Sequence, residues 1–131
     1  MKIEEHVKAY EEHRENVFRW AIEIKGIEKS QRTVGLNISR CAIELLAIYL
    51  HEKALISEGK QLNHRWFKSM NVLKKLPEFP ERENLIEKMV QLENTTEKLS
   101  YGSKKPVEMI EEAVRLFLDI ESHIGKLRGK I

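Results

Sequence analysis

The chain of 131 residues has one cysteine, three prolines and almost no net charge. Cys41 has no partner for an internal disulfide, and it lies in the most apolar segment, where a free cysteine behaves as a small hydrophobe. We therefore expect a reducing, cytoplasmic location. The net charge of +2 neither requires nor excludes a nucleic-acid partner, so only a local basic patch could matter.

Several motifs that carry chemistry are also missing. There is no glycine-rich phosphate loop and no paired Cys or Cys/His spacing for zinc. None of the five histidines has a glutamate three residues before it, the pattern of di-metal sites in helical bundles. We predict no metal and no cofactor. The first 13 residues are too charged for a signal peptide, and no apolar run looks long enough to cross a membrane.

The most informative stretch that is present runs from Thr33 to Ser57. Its centre, Cys41 to Leu50, contains one charged residue, Glu44, and is apolar in nearly every direction on a helical wheel. Such a helix is buried on all sides, so we predict that it lies at the centre of the fold. Five polar residues fall within a narrow arc of this helix, and we call them the polar stripe: Thr33, Asn37, Arg40, Glu44 and His51.

The spacing of apolar residues elsewhere predicts five helices and no strand. They cover residues 3 to 25, 31 to about 58, 63 to 76, 80 to about 99 and 106 to about 127. Ser30 and Asn63 are candidate caps, and Gly26 and Gly59 are candidate stops, with Gly35 a weak point near the start of the second helix. The predicted fold class is all-α, an antiparallel four-helix bundle with a short extra helix, in a single domain over residues 1–131.

The polar stripe has two interpretations. In the structural one, Arg40 and Glu44 form an ion pair one turn apart at the boundary of the bundle or of a dimer. In the functional one, Arg40, Glu44 and His51 line a cleft and contact a phosphate or a base. An arginine and a glutamate within an apolar helix must be paired or reach water, so the polar stripe predicts a surface groove or a subunit interface.

A second polar cluster is Asn63-His64-Arg65-Trp66, which has Lys60 before it and Lys68 after it. Basic residues interleaved with an aromatic ring can bind single-stranded nucleic acid by charge and stacking. The alternative is that Trp66 and Phe67 pack into the core while the basic side chains are solvated.

Three segments resemble the HEPN superfamily of small all-α proteins (higher eukaryotes and prokaryotes nucleotide-binding domains), over roughly Val34 to the C-terminus. They read NISRCAIELLAIYLHEKALISEG, LNHRWF and LSYGSKKPVEMIEEAVRLFLDIESHIGKL. The resemblance implies a function related to RNA. Many members are dimeric, metal-independent ribonucleases of toxin–antitoxin or defence systems, and others bind RNA or nucleotides without catalysis. A nucleotidyltransferase-type protein is then a possible partner.

The active members carry an Arg followed some residues later by a His near the final helix. At the corresponding place, this chain has Asn94 and Tyr101 but neither the Arg nor the His, and the nearest substitute is Arg115 with His123. We therefore expect a dimeric domain that binds RNA, a nucleotide or a partner protein without catalysis and away from membranes. The alternatives are a divergent ribonuclease that uses His64 or His51 as its base, and a purely structural dimerising bundle. The candidate binding residues are Arg40, Glu44, His51, Lys60, His64, Arg65, Asn94 and Tyr101.

Overall fold

A computed structural model describes residues 2–129, and every regular element within this range is helical. The four α-helices are α1 (Ile3–Glu15), α2 (Gln31–Glu52), α3 (Arg82–Ser100) and α4 (Val107–Arg128). No strand occurs among the described residues. The predicted all-α class is confirmed.

Helix α2 is the centre of the molecule, as its sequence predicts. All residues from Cys41 to Leu50 are buried except Glu44. Helices α1, α3 and α4 all pack against α2, so its apolar circumference is covered from several directions. Burial also raises the pKa of the Cys41 thiol, which keeps it protonated at neutral pH.

The length and composition of α2 satisfy the criteria for a membrane-spanning helix, contrary to the expectation that no segment is long enough. Of the most apolar part of this helix, 72% is buried inside the protein. The core helices of soluble proteins can have this length and composition too.

The first helical segment changes its winding part-way along. Helix α1 continues directly into a π-helical segment, Asn16–Lys25, which ends at Gly26 with φ of 101°. A π-helix takes up more residues per turn than an α-helix. Ala21 therefore faces the core, whereas Trp20 and Ile24 are more than half exposed. Ile24 continues the spacing of three and four residues between apolar side chains in this segment, which predicts a core position, and that prediction is wrong because of the change of winding.

Ser30 does not cap α2 with its side chain. Its buried hydroxyl instead donates to the carbonyl oxygens of Ala21, at 2.9 Å, and Gly26, at 2.7 Å. The predicted position of Ser30 as the N-cap residue of α2 is correct, but its hydroxyl binds carbonyls at the end of the preceding helical segment and not the amides of α2.

Helix α2 ends at Glu52, six residues before the predicted end near Glu58, so Gly59 is not its stop. Ala54 adopts the left-handed conformation, with φ of 55°. The amide of Leu55 donates to the carbonyl of Leu50 at 2.8 Å, and the amide of Ala54 donates to the carbonyl of His51 at 3.0 Å. This is the hydrogen-bond pattern that closes helices at a left-handed residue, usually glycine. Because the residue at this position is alanine and not glycine, the sequence carries no signal that the helix ends here.

The region between α2 and α3 contains two short 3₁₀-helices, His64–Lys68 and Met70–Lys75, in place of the one predicted helix. Asn63 caps the first, as predicted, because its side chain accepts a hydrogen bond from the amide of Arg65. Pro80 lies just outside α3, whose N-cap is Glu81. The residues that recur at helical spacing in α3 are all buried, as that spacing predicts: Leu85, Ile86, Met89, Leu92, Thr96 and Leu99.

The pairing of side chains fixes the direction of neighbouring helices. His6 contacts Glu44 and His13 contacts Asn37, so α1 runs antiparallel to α2. Glu93 contacts Ser39, while Leu99 lies beside Gly35, so α3 is also antiparallel to α2. The single domain over residues 1–131 stays a prediction.

Candidate functional site

A cavity of about 470 Å³ lies between α2, α3 and the 3₁₀-helix His64–Lys68, and we call it the Arg40 cavity. Its lining is mainly polar. The side chains that matter for its chemistry are Ser39, Arg40, His64, Arg65, Lys68, Glu93, Glu97 and Tyr101.

A buried carboxylate lies at the inner wall of the Arg40 cavity. Glu93 is only 5% exposed, and its two oxygens have different partners. Ser39 Oγ donates to one oxygen at 2.5 Å, and His64 Nδ1 lies 3.3 Å from the other. Where Glu93 is ionised it accepts hydrogen bonds only, so His64 then donates from Nδ1 in this contact. Glu93 therefore orients the imidazole and leaves Nε2 as an acceptor when the ring is neutral.

Arg40 lies on the other side of the imidazole. One terminal nitrogen of its guanidinium donates to the carbonyl of Leu36 at 2.9 Å, and the other is 3.4 Å from His64 Nε2. Arg40, His64 and Glu93 thus form a continuous polar chain, although they come from three separate parts of the sequence. Most donors of the guanidinium remain available for a ligand, because arginine carries five N–H groups.

Two further cations lie at the edge of the Arg40 cavity. Arg65 is exposed, and within residues 2–129 its side chain makes no hydrogen bond or ion pair. Lys68 is 3.4 Å from Glu97, and both side chains are about half exposed, so this ion pair contributes little stability and can open. The cavity therefore has available positive charge at its edge and a compensated negative charge at its inner wall.

Local sequence explains how these groups are held. The Asn63 cap starts the short helix that carries His64 and Arg65, and fully buried Phe67 anchors it in the core. The side-chain amide of Asn94 on α3 donates to the carbonyl of Lys68 at 3.2 Å and fixes the other end. Trp66 is partly buried against the core and lies under Lys75, 5.3 Å from the ring centre, so it is not a free stacking surface.

The structure brings together four of the eight candidate binding residues. Arg40, His64, Arg65 and Tyr101 all line the Arg40 cavity. Asn94 is adjacent, in a second cavity that also includes Tyr101. The polar stripe and the basic cluster, which look separate in the sequence, therefore meet through Arg40.

The rest of the polar stripe lies elsewhere. Glu44 Oε2 is 2.6 Å from His6 Nδ1, and Asn37 Oδ1 is 2.9 Å from His13 Nδ1. The predicted Arg40–Glu44 ion pair does not form, because Arg40 contacts His64 and the Leu36 carbonyl while Glu44 contacts His6 on α1. At Asn37 and Glu44, the polar stripe contacts α1 of the same chain. These two residues therefore make contacts between helices, and a subunit interface at the polar stripe stays a prediction.

His51 and Lys60 are also outside the Arg40 cavity. His51 Nε2 is 3.1 Å from the carbonyl oxygen of Lys60, and the His51 ring lies 5.1 Å from the ring of buried His6. His51 and Lys60 therefore help to join the end of α2 to the loop that follows it. The described residues include no group of three or more His, Cys, Asp or Glu side chains placed to hold a metal ion.

The nearest substitute for the missing Arg/His pair is not assembled. Arg115 pairs with Glu112 at 2.6 Å on the exposed face of α4. His123 lies beside Lys88, and its pKa is lowered by burial and by that lysine. These two residues do not belong to the Arg40 cavity.

Sequence reasoning did not select Ser39 or Glu93 as site residues. The one available signal is their position, because both are polar residues on the buried faces of their helices. Such a residue must have a polar partner, but the sequence does not say which one.

Comparisons with family models, with characterised proteins and with solved structures find no match to this chain. The function must therefore be argued from the geometry of the Arg40 cavity.

Proposed function

We propose that this protein binds RNA or a nucleotide through phosphate in the Arg40 cavity, without catalysing a reaction. The observation that carries the proposal is the convergence of Arg40, Arg65 and Lys68 on one cavity beside an oriented histidine. Guanidinium groups match phosphate geometry, and a partly enclosed position strengthens each contact.

The proposal includes a wider setting, which is supported by the three HEPN-like segments of the sequence. In this setting, the helices form an antiparallel four-helix bundle with short extra helices, and the protein is a cytoplasmic homodimer. It acts in a toxin–antitoxin or defence system, and its protein partner is of the nucleotidyltransferase type.

Binding can be tested by fluorescence anisotropy with labelled single-stranded RNA over a series of salt concentrations. We expect affinity to fall as salt rises, because bound cations release counterions from the phosphates. Arg40→Ala and Arg65→Ala should each weaken binding and reduce the slope of log affinity against log salt by about 0.7 to 1.

Arg115→Ala is the matched control, since Arg115 is an exposed arginine on α4 outside the Arg40 cavity. It should leave the slope unchanged. An absence of binding at low salt, or equal losses in all three variants, would contradict the proposal.

The contact between His64 and Glu93 supports a second candidate function, that of a metal-independent ribonuclease. Neutral His64 would take the proton of a ribose 2′-hydroxyl, whose oxygen attacks the adjacent phosphorus. The 5′-oxygen would then leave and take a proton from water, while Arg40 stabilises the phosphorane charge. Glu93 would act as a positioning residue.

Incubation of RNA with pure protein in EDTA separates the two candidates. We expect the RNA to stay intact although it is bound, because the Arg and the His of the active HEPN proteins are both missing at the corresponding place. Cleavage that yields cyclic phosphate ends, and that disappears in His64→Ala but persists in His123→Ala, would instead establish the ribonuclease.

A further inference from the structure

Tyr101 is the most exposed large hydrophobic residue among the described residues, at 66%. It is the C-cap residue of α3 and belongs to the lining of two neighbouring cavities. One is the Arg40 cavity. The other, of about 880 Å³, also includes Asn94, Lys98, Lys105 and Met109, and we call it the Lys105 cavity. An exposed aromatic ring therefore lies between two groups of cations.

The loop that carries Tyr101 is fixed by hydrogen bonds from the start of α2. The side-chain amide of Gln31 donates to the carbonyls of Leu99 and Ser103, both at 3.2 Å. Its oxygen accepts a hydrogen bond from the amide of Lys105 at 2.7 Å. Arg32 adds a hydrogen bond to the carbonyl of Gly102 at 3.0 Å. Because the loop is held on both sides of Tyr101, a ligand that stacks on the ring does not have to order its backbone.

The order of these groups, with an aromatic ring shared by two cavities that each contain cations, suits the chemistry of a polynucleotide. A nucleic-acid strand alternates charged phosphates with flat bases, and proteins bind such strands with cations along the backbone and aromatic rings under the bases. A duplex presents no free base face, since its bases are already stacked on one another. A free phosphate or a simple anion would use the arginines and leave Tyr101 unused.

We propose that the ligand is single-stranded RNA that spans both cavities, with one base stacked on Tyr101. This inference rests on the proposed function. Arg40 and Arg65 bind a phosphate on one side of the stacked base. Lys98 and Lys105 bind a phosphate on the other side, and Met109 supplies apolar contact there.

The test compares labelled single-stranded RNA with the corresponding duplex, using wild-type protein and Tyr101→Ala. We expect wild type to prefer the single strand, and Tyr101→Ala to weaken that binding by about 5- to 150-fold, the range measured for loss of one stacked base. The salt slope should not change, because no charge is removed. Tyr101→Phe should retain the affinity.

Trp20→Ala is the matched control, because Trp20 is 52% exposed and lies outside both cavities. It should bind like wild type. Lys105→Ala should reduce the salt slope for an oligonucleotide but leave binding of a mononucleotide unchanged.

The outcomes separate this inference from the proposed function. If duplex and single strand bind equally and Tyr101→Ala behaves like wild type, the inference is overturned. The proposed function then still stands, provided that Arg40→Ala weakens binding. If wild type binds no RNA at low salt, both are overturned.

Discussion

Gly35→Ala should destabilise the protein by about 1–3 kcal/mol, the usual range for overpacking. A Cβ atom at Gly35 would lie 2.9 Å from the Leu99 Cβ, 2.9 Å from the Ser100 amide nitrogen and 2.8 Å from the Ser100 hydroxyl. The Leu99 Cβ and the Ser100 nitrogen are fixed to the backbone and cannot rotate away, so α3 would have to move. Alanine at an ordinary helix-interior glycine stabilises instead, by about 0.5–1 kcal/mol. The sign of the change, measured by urea unfolding, is therefore diagnostic.

Two further variants isolate the cause. Leu36→Ala, at the exposed neighbouring position, should change stability much less than Gly35→Ala. Adding Ser100→Ala to Gly35→Ala removes the hydroxyl but leaves the other two contacts, so it should not restore stability. A Gly35→Ala protein as stable as wild type would show that α2 and α3 do not approach this closely.

Glu121→Gln should destabilise the protein by about 2 kcal/mol at neutral pH, a typical value for lost hydrogen bonds to a charged group. Glu121 on α4 accepts hydrogen bonds from Arg14 at 2.7 and 3.1 Å and from the hydroxyl of Tyr10. Burial alone would raise the pKa of Glu121, but the hydrogen bonds from Arg14 and Tyr10 outweigh it, and the pKa is lowered. Burial and the contact with Glu121 together raise the pKa of Tyr10.

The direction of the Glu121 shift fixes the pH dependence. A carboxyl with a lowered pKa in the folded state contributes stability above its unfolded value of about 4.3. That contribution is lost as the pH falls through the folded value. Denaturation measured from pH 7 downward should therefore show the difference between wild type and Glu121→Gln shrinking below about pH 4.

Glu112→Gln is the matched control on the same helix. Glu112 pairs with Arg115, but both side chains are more than half exposed, so the substitution should cost little at any pH. A Glu121→Gln deficit that stays constant down to low pH would show that the ion pair is not its source.

The sequence by itself determined the central helix, the core face of α3 and, within residues 2–129, the absence of strands. These features are local, because the spacing of apolar residues along one helix decides which face is buried. Gly26 and Pro106 also mark helix boundaries correctly, since each acts through its own backbone.

Only the tertiary structure decided the end of α2 and the side of the π-helical segment that faces the core. At the first, Ala54 takes a conformation that the sequence assigns to glycine. At the second, the change of winding moves Ile24 to the surface. Both features are backbone conformations that depend on packing in the folded protein, and residue type alone does not specify these conformations.

The tertiary structure also decided the Arg40 cavity. Arg40, His64 and Glu93 each have an identifiable polar character in the sequence, but 24 and 29 residues separate the successive members of this set. Their meeting depends on how α2, α3 and a short 3₁₀-helix pack, and Gly35 sets the closeness of two of these elements. A side chain's need for a partner can be read from one sequence, whereas the identity of the partner is fixed only when the helices dock.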